Sequence, residues 1–167
     1  MPLPEKDAII FHPIGHISSP HKSLEGMPIQ PSGAKDVVGK IELYGPLEEG
    51  LQDLDGFSHI ILLYHFHKND GFELKVKPFM DTVERGLFST RAPRRPNMIG
   101  MSTVELLSIE GNILHIKGVD ILDGTPLLDI KPYVQKFDAV DADRFGWLEE
   151  NAQQSETLKS DERFVKD

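Results

Sequence analysis

Cysteine is absent from the 167 residues. That rules out a disulfide framework and a zinc-thiolate site, and it suits a reducing compartment, so a cytoplasmic location is expected. Long apolar runs are absent too. The longest, IILLY at 60–64, is far short of the 18 or more apolar residues that read as a membrane span. The first ten residues, MPLPEKDAII, contain no apolar h-region, and no signal peptide is expected. Nor is there a glycine-rich strand-turn-helix for nucleotide phosphates, an H-E-x-x-H pair, a Ser-His-Asp order or an internal repeat. The common dinucleotide-binding, metalloprotease and serine-hydrolase signatures are therefore missing.

Positive charge is scarce overall, with a net charge of −9, but it is unevenly spread. Residues 138–167 hold nine acidic and four basic side chains, which leaves only −4 on the first 137 residues. Residues 68–95 hold seven basic and four acidic ones, a local +3. Anion binding depends on where charge sits, so an acidic chain of this kind can still present a basic patch to phosphates.

The pattern along the chain is one of short strands. AIIFHPIGHI (8–17) reads as a strand interrupted by Pro13, and 18–34 as a long loop rich in Pro, Ser and Gly. VVGKIELYG (37–45) alternates as a strand should. PLEEGLQDLDG (46–56) offers one short helical turn with Leu47, Leu51 and Leu54 on a face. FSHIILLYHFH (57–67) is the strongest strand, bounded by Asp-Gly and Asn-Asp-Gly turns. After an extended stretch at 72–79, residues 100–122 hold two strands joined at Glu-Gly-Asn, a hairpin signal. DGTPLLDIKPYV (123–134) is extended, and its Pro126 and Pro132 place it at a sheet edge. Together these predict a mainly β barrel or sandwich with little helix. From 141 the texture turns acidic, with room for a short helix over 145–158; residues 1–140 form the expected domain and 141–167 a tail.

Four groups of residues are chemical candidates. In TRAPRRPN (90–97), Pro93 and Pro96 hold Ala92 and Arg95 extended. Arg91, Arg94 and Arg95 thus project from a stiff backbone, and guanidinium groups grip carboxylates and phosphates with paired bonds. The ordinary reading is a solvated loop. In VDILDGTPLLDIKPY (119–133), Asp120, Asp123 and Asp129 fall close together; such carboxylates either cap a turn or hold ligand hydroxyls. Lys131 is placed to reach a phosphate or to pair with Asp129. His65 and His67 share a strand face with Ile61 and Leu63, without a carboxylate at ligand spacing, and no metal is expected. Finally, GMPIQPSG (26–33) is a shaped loop able to present the Gln30 amide, or else a linker.

In the order IGHISSPHK, PIQPSG, FSHIILLYHFH, GLFSTRAPRRPNMIGMSTVELL and VDILDGTPLLDIKPYV, these motifs resemble the TrmO (TsaA-like) family of S-adenosylmethionine-dependent tRNA methyltransferases. The resemblance runs over about residues 9–137. The family's two long patterns are close to F-A-T-R-S-P-x-R-P-N-P-I-G and L-D-x-x-D-G-T-P-x-x-D-I-K-P-Y. Here Met98 stands where the first has proline, and Ser32 separates Pro31 from Gly33.

The resemblance implies a compact β-barrel with short helical insertions that dimerises, and methyl transfer to N6 of threonylcarbamoyl-adenosine in tRNA. A barrel that binds S-adenosylmethionine or a nucleotide without catalysis is the alternative. Carried over residue by residue, cofactor contacts fall on Gln30, Pro31, His67, Lys68, Arg91, Met101, Asp120, Ile121, Leu122, Asp123 and Gly124. Substrate or tRNA contacts are expected at Arg94, Arg95, Asn97 and Lys131. Since the acceptor nitrogen carries a proton and is carbamoylated, a general base is useful. Asp120, Asp123 and Asp129 are the candidates with His67 behind them, and Asp123 or Asp129 is the expected catalytic residue. The 18–34 loop is long enough to reach a neighbour's site across a dimer.

Overall fold

The computed structural model describes residues 3, 7–28, 31–79 and 81–149. Its strands are β1 (Gly15–Ser18), β2 (Val38–Leu43), β3 (His59–His65), β4 (Lys75–Val76), β5 (Arg85–Gly86), β6 (Ile99–Glu110), β7 (Ile113–Lys117) and β8 (Thr125–Pro132). Six of them close into a barrel in the order β1-β2-β7-β6-β3-β8, with every pairing antiparallel. The expected mainly β barrel is therefore present. β4 and β5 form a separate two-stranded ribbon between β3 and β6.

Alternation in sequence becomes inside and outside. Ile17 of β1, Ile41 of β2, Ile60 and Leu62 of β3, Leu114 and Ile116 of β7 and Leu127 of β8 are all fully buried in the barrel interior. Burial of each such side chain stabilises by about 1.5–3 kcal/mol, and a one-residue slip would turn the whole set to solvent. β6 serves two neighbours. Its first half pairs with β3 and its second with β7, and a register shift at Leu106/Ser108 accommodates the bend between them. The hairpin expected at Glu-Gly-Asn is formed by Gly111 and Asn112 between paired Glu110 and Ile113, with Gly111 at φ 62°.

Several boundaries differ from the sequence expectations. The first strand starts at Gly15, not at residue 8; a Cβ there would lie 2.3 Å from the Glu42 carbonyl oxygen, so only glycine allows β1 to approach β2. β8 is not an edge strand. It pairs with β1 on one side and β3 on the other. Its prolines are tolerated because Pro126 is the second residue of the strand and Pro132 the last, outside the run that both neighbours share. The expected helical turn appears as two 3₁₀ turns, Gly45–Leu51 and Leu54–Gly56. Leu51 and Leu54 pack on the core while Leu47 stays exposed. One helical turn, Gln135–Asp138, follows β8 within the expected domain, and the described part of the tail holds a 3₁₀ turn, Gly146–Leu148; the rest of the helix expected over 145–158 lies outside the described residues.

Candidate functional site

A cavity of about 720 Å³ opens at one end of the barrel. Its position follows from three chain segments: the loop entering β8, the exit of β3, and the arginine segment before β6. The arginine segment stands on a small second core of Val76, Leu87 and Ala92. Thr90 Oγ1 donates to the Leu87 carbonyl at 2.7 Å and accepts from the Ala92 N–H at 3.3 Å. With Thr90 and Ala92 buried on either side, extended backbone turns Arg91 outward, and its side chain lines the cavity. Arg95 lines it too. Its Nη1 donates to the Thr90 and Ala92 carbonyls at 2.9 and 3.1 Å, which ties the segment into a fixed loop.

The floor carries a carboxylate. Between Gly118 and Gly124, both at positive φ, the loop is fastened to the end of β1. Ser19 Oγ donates to the Ile121 carbonyl, His21 Nε2 donates to the Val119 carbonyl at 2.8 Å, and the N–H groups of Asp123 and Gly124 donate to His21 and Ile17. Val119 and Ile121 point into the core, so Asp120 between them turns to the cavity. Ser102 Oγ donates to Asp120 Oδ1 at 2.7 Å. The only proton of Ser102 is then committed, and the Tyr64 hydroxyl, 2.9 Å away, is the donor to Ser102 Oγ. The result is a relay from Tyr64 through Ser102 to Asp120.

Asp120 is half-buried at the cavity, with protein packed densely around its carboxylate. This burial pushes its pKa up to about 6, against the lowering effect of the Ser102 hydrogen bond, its own backbone N–H and the Arg91 charge. Tyr64 is raised well above its ordinary range, first by burial and then by the Asp120 charge. His67, at the cavity wall, is held below its usual value by burial and by the neighbouring Lys68 and His65.

The expected site residues divide in two. His67, Lys68, Arg91, Arg95, Met101, Asp120, Ile121 and Leu122 line this cavity. Asp123, Gly124, Arg94, Asn97, Asp129 and Lys131 do not. Asp123, expected as a catalytic base, instead caps the turn: Oδ1 accepts from the Ser19 N–H at 3.0 Å and Oδ2 pairs with Lys22 at 2.9 Å. Asp129, the other expected base, is further along β8, where it borders a groove away from the cavity and pairs with Lys131 at 2.9 Å. Both fail the geometric requirement for a base in this cavity because the turn at 123–125 and the run of β8 carry them away from it. Arg94 donates from Nε to the Asp70 carbonyl. Gln30 lies outside the described residues, and Pro31 opens the 3₁₀ turn Pro31–Ala34. Leu24, Met27 and Pro28 show that the long loop folds over this chain's own cavity.

Two contributors were not foreseen. The Tyr64–Ser102 relay joins residues 38 apart, visible in sequence only as a serine at an inward position of β6. Asn69 also lines the cavity, and its Oδ1 is buried with no hydrogen-bond partner among the described residues. A buried acceptor left without a donor is costly, and a ligand N–H is one way to satisfy it. With Asp120 for a cation, Arg91 and Arg95 for carboxylates, and Phe66, Phe79, Phe88 and Met101 for apolar parts, the lining fits a compound that is part aromatic base, part charged amino acid. Among the described residues no group of three His, Cys, Asp or Glu is placed to hold a metal, and no helix is long and apolar enough to cross a membrane.

Comparison with known proteins agrees on one family. A probable S-adenosyl-L-methionine-binding protein of Pyrococcus abyssi is 53% identical over 93% of this chain and 85% of its own length. A mouse tRNA (adenine(37)-N6)-methyltransferase is 37% identical over 83% of this chain, which spans only 34% of that enzyme. A crystal structure of TrmO from Pseudomonas aeruginosa superposes with a TM-score of 0.72 at 40% identity, covering 85% of this chain and 63% of that one. The family model for the tRNA-methyltransferase O N-terminal domain matches residues 16–139, and the chain belongs to that family.

Proposed function

We propose that this chain is a cytoplasmic, S-adenosylmethionine-dependent tRNA methyltransferase that acts on N6 of threonylcarbamoyl-adenosine. The observation that carries the reading is Asp120: an enclosed carboxylate with a pKa of about 6 at the floor of a cavity walled by aromatic rings and arginines. The names of the relatives supply the chemistry, adenine N6 methylation for the mouse enzyme and S-adenosylmethionine binding for the Pyrococcus protein.

When bound, S-adenosylmethionine supplies a methyl group on a positively charged sulfur. Asp120, Asn69, His67 and the apolar walls are the residues that would hold it. Positioning supplies much of the acceleration in such a displacement. Asp120 is the residue placed to take the proton that N6 loses on methylation, and a base with pKa near 6 is ionised at neutral pH yet still able to accept a proton. Ser102, donating to Asp120 and held by Tyr64, keeps the other oxygen of the carboxylate turned to the cavity. Arg91 and Arg95 are the cations for the carboxylate of the threonylcarbamoyl group, and Lys68 at the wall suits a phosphate. A site in which an arginine pairs with the substrate's carboxylate discriminates strongly against a nucleoside without one.

The same reading includes a barrel unit over 1–140, an acidic tail over 141–167, and a homodimer. Support for the dimer comes from the extended segment before β1, where Ile9, Ile10 and Phe11 are 78%, 79% and 63% exposed in one chain.

The test is calorimetric titration with S-adenosylmethionine, followed by methyl incorporation into tRNA with and without threonylcarbamoyl-adenosine. Incorporation confined to the modified tRNA is expected. A second reading, a binding barrel without catalysis, is favoured by the Pyrococcus protein being described by binding alone. Cofactor binding with no methyl transfer to either tRNA would establish that reading and overturn the first.

A further inference from the structure

The acidic tail returns to the site. β8 ends at Pro132, which borders the groove away from the cavity, yet fifteen residues later Trp147 and Leu148 line the cavity itself. Both lie beyond residues 16–139, the part matched by the family model. Trp147 is the only tryptophan in the chain. The 3₁₀ turn Gly146–Leu148 presents it, with Gly146 at φ 58° to make the bend.

The indole is fixed from two sides. Its Nε1 donates to the Ser89 carbonyl at 2.9 Å, the residue just before Thr90 in the arginine segment. The Arg85 guanidinium sits 5.7 Å from the ring centroid, held there by Asp81, whose Oδ2 accepts from Nε and Nη2 at 2.6 Å each. Arg85 does not line the cavity, so it backs the ring while the indole faces the lumen. Phe88 is built alike. It is an exposed ring at the same cavity, with the Arg95 guanidinium 5.8 Å from its centroid. An indole that served only to anchor the tail would be buried. This one is half-buried, its polar N–H satisfied and its plane immobilised, with aromatic surface left on a cavity wall. A rigid aromatic face has little entropy left to lose and suits a planar ring.

We infer that Trp147 is a ligand-binding residue of this site, the wall on which an adenine ring stacks, and that the described tail is part of the active cavity. The inference rests on the reading of the cavity as one that takes S-adenosylmethionine and an adenosine target. Both carry adenine, and the experiment separates them. Because no other tryptophan is present, tryptophan fluorescence of the full chain, excited beyond the absorption of its three tyrosines, reports on this wall alone. Titration with S-adenosylmethionine and, separately, with tRNA bearing threonylcarbamoyl-adenosine is followed by fluorescence and by calorimetry, then repeated calorimetrically with W147A and W147F. Stacking predicts a change in emission with one of the two ligands, which names the source of the adenine. It also predicts that W147A weakens that ligand by roughly fivefold or more, while W147F, which keeps an aromatic face but cannot donate to Ser89, retains most of the affinity. If W147A binds both ligands as tightly as the unsubstituted chain, the inference is wrong and the reading of the cavity stands. If neither ligand gives heat with the unsubstituted chain, both fail together.

Discussion

The two ends of the barrel use the same kinds of residue to opposite effect. At one end lies the cavity, with Asp120 enclosed and fed by the Tyr64–Ser102 relay. At the other lies a groove of about 420 Å³ bordered by Leu43, Leu47, Leu51, Leu54 and Ile130, where Asp129 stands beside Lys131 with both side chains about half exposed. Nine residues separate the two aspartates. What differs is water. Asp129 has solvent and a flexible cation, whereas Asp120 has a rigid hydroxyl and a low-dielectric surround that favours its protonated form. Asp120 is a suitable proton acceptor for chemistry near neutral pH.

The sharpest way to break this contrast is to neutralise each aspartate in turn. D120N is expected to lower methyl transfer by about 10²–10⁴-fold, the range of a lost general base, a larger loss than that in S-adenosylmethionine affinity. D129N is expected to leave turnover near that of the unsubstituted chain. Single-turnover methylation, with calorimetry for binding, measures both. In the unsubstituted chain, turnover should rise with pH through about 6 as Asp120 ionises. Equal losses in D120N and D129N would mean that enclosure is not what selects the base.

A second contrast, smaller in effect, concerns glycine. A Cβ on Gly100 would lie 2.2 Å from the Tyr64 ring, which is buried and held by its hydrogen bond to Ser102. G100A is expected to cost about 1–3 kcal/mol of stability through overpacking and to disturb the relay. At the groove end, Gly50 has nothing within 4 Å of a built Cβ, so G50A is expected to be neutral or to stabilise by about 0.4–1 kcal/mol through the unfolded chain. Urea midpoints of the two variants measure the difference. A G100A protein as stable as G50A would show that Tyr64 is not confined.

Much of this was legible in the sequence. Apolar alternation in 57–67 and 100–117 marks the barrel, and the stiff arginine segment marks the cavity wall, because both depend on neighbours along the chain. What the sequence hid depends on neighbours in space. Asp120, Asp123 and Asp129 look alike on a line, but the turn at 123–125 sends Asp123 to Lys22 and the run of β8 carries Asp129 to the far end. Ser102 meets Tyr64 only through the β3–β6 register, in which Leu62 faces Ser102 across the ladder. Pro126 and Pro132 suggested an edge since a proline cannot donate, and only the closure of β8 onto both β1 and β3 shows them as strand ends. Trp147 sat in an acidic stretch whose composition resembles a solvated tail, with no local signal that it returns to Ser89.

The smallest effect is also the one with the cleanest sign. Asp123 is held below its ordinary value, first by the Lys22 hydrogen bond and then by the Ser19 N–H, so its carboxylate favours the folded state when ionised. That contribution is present above the unfolded value of about 3.9 and is lost as pH falls through the lower folded one. The pair is substantially exposed, so the whole contribution is at most about 1 kcal/mol. Asp120 works the other way. Its folded value of about 6 lies above the unfolded one, so the folded protein binds the extra proton and stability from this group declines as pH rises from about 4 to 6. At pH 8 D123N should therefore melt slightly below the unsubstituted chain and D120N above it, by no more than about 3 kcal/mol for the roughly two units involved. At pH 3 the two differences should shrink together. Thermal melts across that range decide it, and a D120N protein that is destabilised at pH 8 would mean that the relay holds the carboxylate more firmly than enclosure opposes it.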